Sequence, residues 1–282
     1  MKVEAGILFL VATPIGNLSD ITSRAAQTLQ DVDFIAAEDT RVTRKLLTHL
    51  GISKQLVSYY EHNRRQSGDT IVGRILSGET CALVTDAGTP GISDPGEDLV
   101  KLCAEAGVEM IAIPGPCAAV SAIALSGLAA GRFTFEGFLS TSRKNRFEHL
   151  NELKEEKRTM VFYEAPHKLM RTLADMLNVF GDRRVSISRE LTKIHEETLR
   201  LTLSQAVAHF EAKPPRGEFC IVIEGVLHTP DPEIGLDDAV AAARGYIENG
   251  LSVKDAAKKA AEETGASKNA IYNAVGKRRP GA

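Results

Sequence analysis

A regular alternation of two periodicities narrows the possible folds of this sequence to one class. Short apolar, β-branched runs alternate with segments of helical periodicity from the first residues onward. Residues 8–13, 34–37, 56–60, 81–85 and 108–113 read as strands, and 21–29, 43–50, 70–76, 99–106 and 118–128 as helices between them. The strands are apolar along nearly their whole length instead of alternating, so each is expected to be buried on both faces. With helices between them, this means a parallel sheet covered on both sides.

A connector, Ala129-Ala130-Gly131-Arg132, is followed by a second α/β pattern through 160–163, 185–188, 199–203 and 219–223. The spacing is less regular here, and a mixed sheet is expected. The linker His228-Thr229-Pro230-Asp231-Pro232 closes this part, because two prolines in three residues block both helix and ladder. The last stretch is rich in Ala, Lys and Glu. Ser252 and Ser267 are placed to cap two short helices separated by Thr264-Gly265, a helix-turn-helix pattern. The expected fold class is therefore α/β. Two α/β domains, 1–130 and 131–230, enclose a ligand cleft, and a small all-helical, basic tail spans 236–282.

The 282 residues, with 43% hydrophobic and 25% charged, suit an ordinary globular protein of this size. No apolar run approaches the length of a membrane span and no cleavage-type signal follows the first one, so a cytoplasmic protein is expected. The four cysteines are far apart and sit in apolar or small-residue runs, and the seven histidines form no ligand spacing. Reduced thiols and no metal are expected. Net charge is −3, but residues 251–282 carry seven Lys or Arg against three Asp or Glu. That leaves a +4 end on a −7 body, which suggests a local polyanion contact. Simple packing of a helical bundle is the other reading of the tail, since Lys277, Arg278 and Arg279 also suit a helix C-terminus.

No Walker-type or G-x-G-x-x-G loop is present. The first strand instead runs into Thr13-Pro14-Ile15-Gly16-Asn17. The strand at 81–85 runs into TDAGTPGISDPG, whose three glycines and two prolines make a rigid loop with exposed backbone, bracketed by Asp86 and Asp94. The strand ending at Ile113 runs into Pro114-Gly115-Pro116-Cys117-Ala118-Ala119. Each loop taken alone also reads as a structural turn or a close helix–strand packing. Three small-residue loops at the carboxyl ends of parallel strands point to one shared cleft, where α/β sheets bind ligands. Acid–base runs recur at Glu38-Asp39-Thr40-Arg41, Glu61-His62-Asn63-Arg64-Arg65 and Ser188-Arg189-Glu190-Leu191-Thr192-Lys193. Each sits where the rim of a site is expected, and solvated surface charge is the other reading. His167 and His195 rank below the loop residues as functional candidates.

TDAGTPGISDPG and IPGPCAA, together with ATPIGNLSDIT, AAEDTRVTRKLL, MVFYEAPHKL, SRELTKIHEE and RGEFCIVIEG, resemble the ribosomal RNA small subunit methyltransferase I family. That family is a branch of the tetrapyrrole methylase fold, and the resemblance runs over essentially the whole chain. It implies 2′-O-methylation of a cytidine in the decoding region of 16S ribosomal RNA, with S-adenosyl-L-methionine bound in the cleft of a homodimer. The cofactor contacts it implies are Ile15, Asp86, Ala87, Gly88, Ile92, Cys117, Ala118, Tyr163 and the backbone near Leu201. Ala12-Thr13-Pro14 replaces the leading glycines of the wider fold's first loop, which disfavours a tetrapyrrole substrate. Cys117 stands where relatives often carry Ser or Thr.

If a base assists the reaction, Asp39, Glu190 and His62 are the candidates. Arg41, Arg44, Lys45, Arg143, Lys144, Arg146, Lys277, Arg278 and Arg279 are the expected RNA contacts. A small-molecule methyltransferase and a non-catalytic RNA-binding factor are the competing readings. The basic tail disfavours the first, and cofactor binding would exclude the second.

Overall fold

The computed structural model describes residues 6–226 and 236–276. The chain forms two compact units that divide after Val226.

The first unit holds two five-stranded sheets. One is built from β1 (Ile7–Val11), α1 (Ser23–Asp31), β2 (Phe34–Ala37), α2 (Thr40–Leu50), β3 (Gln55–Ser58), α3 (Arg64–Leu76), β4 (Cys81–Val84), α4 (Gly96–Glu105) and β5 (Glu109–Ile113). Its order is β3-β2-β4-β1-β5, and every pairing is parallel. The apolar strands explain the layering: Ile7, Phe9, Ile35 and Ala82 pack on one face, and Leu8, Phe34, Cys81 and Leu83 on the other. Helices cover both faces, as the uninterrupted apolar runs require.

After α5 (Ala118–Ser126) come β6 (Phe133–Phe138), α6 (Arg143–Glu152), β7 (Thr159–Glu164), α7 (Pro166–Phe180), β8 (Arg184–Arg189), β9 (Glu197–Thr202), α8 (Leu203–Ala212) and β10 (Phe219–Ile223). The second sheet runs β6-β7-β10-β8-β9. Only β6 and β7 are parallel, so this sheet is mixed. One of its faces packs against α6, α7 and α8 through Phe162, Leu173, Met176 and Ile221. The other receives α5: Ala119, Ala122 and Ile123 lie on Val161, Cys220 and Val222. A boundary at residue 130 would assign α5 to the first half, but the helix packs on the second sheet.

The second unit contains three helices, α9 (Leu236–Glu248), α10 (Val253–Thr264) and α11 (Lys268–Gly276). Ala239, Val240, Ala243, Ala257, Ala260 and Ile271 form its core. The two tail helices expected from the sequence are α10 and α11. The Ser252 hydroxyl accepts from Asp255 N, and Gly265 ends α10 in a left-handed conformation. Helix α9 was not anticipated: its buried positions are mostly alanine, which gives weak apolar contrast. The proline linker at 228–232 lies outside the described residues.

Candidate functional site

The strand-end loops of the first sheet are fastened to one another. Thr13 and Gly88 exchange backbone hydrogen bonds of 2.9 and 3.1 Å, joining the turn after β1 to the Pro-Gly loop after β4. The Thr13 hydroxyl donates to the Thr85 carbonyl at 3.2 Å. Gly88 has φ +88°, a conformation that disfavours any side chain. A Cβ at Gly115 would stand 2.9 Å from that of Ala12, so the loop after β5 also lies directly on the first turn.

Within TDAGTPGISDPG, the Asp94 carboxylate accepts from the amides of Gly91, Ile92 and Gly96, at 3.0, 3.3 and 2.7 Å. Burial nevertheless outweighs these bonds and pushes the Asp94 carboxyl above its ordinary range. Asp86 is raised too, first by burial and then by the nearby charge of Glu38. Glu38 in turn accepts from the Thr85 hydroxyl at 2.6 Å and the Asp86 amide at 3.3 Å.

The second sheet supplies the facing wall. Tyr163, at the end of β7, accepts from the Ala119 amide through its hydroxyl at 3.1 Å and so holds the first turn of α5. Cys117 provides no side-chain cap there. A register shift between Phe135 and Gly137 bends β6. Gly137 has φ +62°, and a Cβ on it would meet the Ser93 hydroxyl at 2.9 Å. After β8, the Glu190 carboxylate accepts from Lys193 Nζ at 3.0 Å and from the Glu218 amide at 3.2 Å. Burial raises the Glu190 carboxyl, but these bonds outweigh it and the net shift is downward.

Three non-glycine residues among those described have positive φ: Ser93, Glu190 and Thr192. The first two line the cavity and the third lies in the same loop as Glu190. Backbone strain of this kind persists where surrounding structure enforces it, and it clusters at functional sites.

Together the loops and the wall enclose a cavity of about 510 Å³, within the size range of small-ligand sites. Ile15, Ile92, Phe138 and Tyr163 give it apolar surface, and Ala87, Gly88, Cys117 and Ala118 give it small residues and backbone. Six carboxylates line it, those of Glu38, Asp86, Asp94, Glu164, Glu190 and Glu218. Such a site suits a ligand that is partly flat and apolar and carries positive charge.

Of the residues singled out in the sequence, Ile15, Asp86, Ala87, Gly88, Ile92, Cys117, Ala118, Tyr163 and Glu190 all line this cavity. Leu201 does not. It packs with the core on the opposite face of the second sheet, and Leu191 from the loop after β8 lines the wall instead.

Two candidate bases fall outside the lining. Asp39 caps α2 by accepting from Arg41 N at 2.8 Å, and pairs with the Arg41 guanidinium at 2.6 Å. Those bonds hold its carboxyl at about 2, a poor proton acceptor. His62 is exposed in the turn before α3.

Arg41, Arg44 and Lys45 are exposed on α2, where with Thr40, Thr48 and His49 they border a shallow groove. Arg143 and Lys144 are exposed at the start of α6. Arg146 is not a surface cation: it is 2% exposed, pairs with Asp175 at 2.7 Å and donates to the carbonyls of Ser140 and Thr141. Lys277, Arg278 and Arg279 lie outside the described residues.

Ser188 and Lys193 of the acid–base run after β8 also line the cavity, whereas Phe138, Glu164 and Glu218 were missed as lining residues. They come from strand ends of the second sheet, where no cluster of glycine and proline marks a loop. The strained SRELTK run was the one available signal.

Comparison with known proteins agrees with this architecture. The family model "Tetrapyrrole (Corrin/Porphyrin) Methylases" matches residues 8–207, and "RsmI C-terminal HTH domain" matches 236–279. The "Ribosomal RNA small subunit methyltransferase I" of Synechocystis sp. is 47% identical over 268 residues, covering 95% of this chain and 96% of that protein. The Bacillus subtilis protein of the same name is 44% identical, covering 97% and 95%. Among solved structures, a uroporphyrin-III-C-methyltransferase from Thermus thermophilus superposes with a TM-score of 0.56 at 17% identity, covering 77% of this chain and 94% of that one. A cobalt precorrin-4 methyltransferase does so equally well at 19% identity, covering 78% and 95%. These structural likenesses establish the fold. The sequence likeness over nearly the full length goes further: this chain belongs to the ribosomal RNA small subunit methyltransferase I family, within the tetrapyrrole methylases.

Proposed function

We propose that this protein transfers a methyl group from S-adenosyl-L-methionine to the ribose 2′-hydroxyl of a cytidine in the decoding region of 16S ribosomal RNA. The observation that carries the reading is the cavity itself, with three strand-end loops of small residues on one side and carboxylates around the rim. The carboxylates suit the ammonium and sulfonium charges of that cofactor, and Ile15, Ile92 and Tyr163 offer apolar surface for its adenosine. Asp86, Ala87, Gly88, Cys117 and Ala118 are the other residues that would hold it. When bound, it supplies a methyl group already activated on sulfur, so the protein need not form a nucleophile of its own.

The chain's own contribution is then orientation and exclusion of water. Rigid loops that bring donor and acceptor together convert a bimolecular step into a nearly unimolecular one, a large share of the rate gain. Of the three candidate bases, Glu190 is the one in the lining. A proton accepted there from the hydroxyl would add roughly 10²–10⁴-fold. The bonds from Lys193 and the Glu218 amide keep its carboxylate ionised and lower its basicity.

The exposed cations of α2 and α6, with Lys254, Lys258, Lys259 and Lys268 of the helical unit, are suited to RNA phosphates. We place the protein in the cytoplasm, where assembling ribosomal subunits are found. Among the described residues no helix is long and apolar enough to cross a membrane. The small subunit is the expected form of the substrate and a homodimer the expected assembly. Val120 and Leu125, exposed apolar residues of α5, would suit cover by a second copy, which sedimentation analysis would detect.

The test of the reaction is direct. Incubation with radiolabelled cofactor and either small-subunit RNA or a tetrapyrrole should label only the RNA, and mass mapping should place the methyl on one cytidine ribose. Label in the tetrapyrrole alone would overturn the proposal.

A further inference from the structure

The cavity poses an electrostatic difficulty for an RNA substrate. The exposed carboxylates of Asp86 and Glu218, with Glu38 beside Asp86, repel a phosphate backbone that must come close for its ribose to reach the methyl donor. Among the described lining residues there is one cation, Lys193. We propose that Lys193 is a phosphate-binding residue: its ammonium exchanges the exposed carboxylate of Glu218 for the RNA phosphate next to the ribose that is methylated. The proposal rests on RNA being the substrate.

Three observations support the exchange. First, the side chain is held in place before any RNA arrives. A Cβ on Gly16 would fall 2.5 Å from Lys193 Cγ and 2.9 Å from Cε, so the stem lies flat on the turn after β1. A pre-positioned head loses less freedom on binding.

Second, its two partners are unequal. Glu190 is 21% exposed and is itself fixed by the Glu218 amide, whereas the Glu218 carboxylate is 80% exposed and 3.1 Å from Nζ. An exposed ion pair contributes little, so releasing Glu218 costs little. Lys193 is 31% exposed, within reach of an incoming phosphate.

Third, the ammonium is a lasting charge and not a proton acceptor. Burial acts to lower its pKa, but hydrogen bonds to both carboxylates outweigh this and shift it upward. The positive φ values of Glu190 and Thr192 fit a loop held in one conformation to present this group.

The test uses the full-length protein and whichever small-subunit RNA form the wild type methylates. K193M should raise KM for RNA about tenfold, as expected for loss of one charge-assisted contact, and kcat is read separately because the variant also removes a partner of Glu190. It should also reduce the salt slope of log kcat/KM by about 0.7–0.9, the value for one phosphate. K193R should restore the slope, and cofactor affinity read by calorimetry separates a loss of RNA binding from damage to the cavity.

E218Q should lower KM several-fold by freeing the ammonium, and that gain should vanish in the K193M/E218Q double variant. An unchanged KM and slope in K193M, or an E218Q gain that persists without Lys193, would overturn the proposal. If K193M does not fold, E218Q alone decides, since its side chain is exposed: an unchanged or raised KM refutes the exchange. A wild-type protein that labels no RNA would overturn the function and this proposal together, whereas wild-type labelling with an indifferent K193M overturns this proposal alone.

Discussion

Asp94 and Gly96 show how single residues fix the loop after β4. Three backbone amides converge on the Asp94 carboxylate. They can do so because Gly96 leaves room: a Cβ there would lie 2.6 Å from Asp94 Oδ1 and 2.9 Å from the Gly91 amide. Gly96→Ala should therefore break the convergence. With three bonds at about 0.5–1.5 kcal/mol each, the cost is about 1.5–4.5 kcal/mol. A lower melting temperature and cofactor binding weakened at least about tenfold in calorimetry are the expected results. Unchanged cofactor affinity would show that the loop does not form the site. Arg146 argues the opposite way, because a cation taken from sequence as an RNA contact is in fact buried structure. Arg146→Ala leaves Asp175 and two carbonyls without their partner, and breaking a buried pair in this way costs about 3–5 kcal/mol. Thermal unfolding should register that loss, whereas Arg143→Ala should leave stability nearly unchanged.

At the scale of elements, most of the first sheet was legible because each of its strands is a short apolar run bounded by a turn. The glycines and prolines of its loops announced the ligand side as well. Strand β6 was not legible: FTFEGF is only partly buried, and the bend at Gly137 breaks the alternation. The extra helix of the tail was hidden by alanine. The facing wall of the cavity was the hardest part to read, since antiparallel strands place functional side chains at ordinary strand ends. Tyr163 was reached only through family resemblance, and the structure shows its local role, joining β7 to α5. Tyr163→Phe removes the acceptor for the Ala119 amide, so a loss of about 1 kcal/mol in stability is expected with weaker cofactor binding.

The turn between α6 and β7 supplies a pH test. Bonds from Arg158 hold the Glu156 carboxyl at about 2, below its ordinary 4.5. A folded-state pKa below the unfolded one contributes stability that is complete above about 4.5 and lost as pH falls toward about 2. Relative to the wild type, Glu156→Gln should thus be less stable at neutral pH, with the difference shrinking through that window in denaturant melts. A difference that stays constant across the window would refute the assignment.

At the scale of the whole molecule, the second unit is neutral as a whole, eight Lys or Arg against eight Asp or Glu over 227–282, and its positive charge is concentrated from residue 251 on. The sequence already carried this signal as a +4 end on a −7 body, and the structure places Lys254, Lys258, Lys259 and Lys268 on the exposed surface of a three-helix unit with its own core. Two outcomes follow for truncation after Val226. If the helical unit here binds phosphates, the truncated protein should bind cofactor as the wild type does, because every lining residue is retained. Its methylation of small-subunit RNA should fall at least about tenfold at physiological salt. Its salt slope should also fall by about 0.7–0.9 for each phosphate that the helical unit neutralises. If methylation and slope both survive, the α2 cations and Lys193 suffice, and the helical unit has another role. Cofactor affinity is the control that separates the cases, since a truncation that merely damaged the body would weaken it in parallel with methylation.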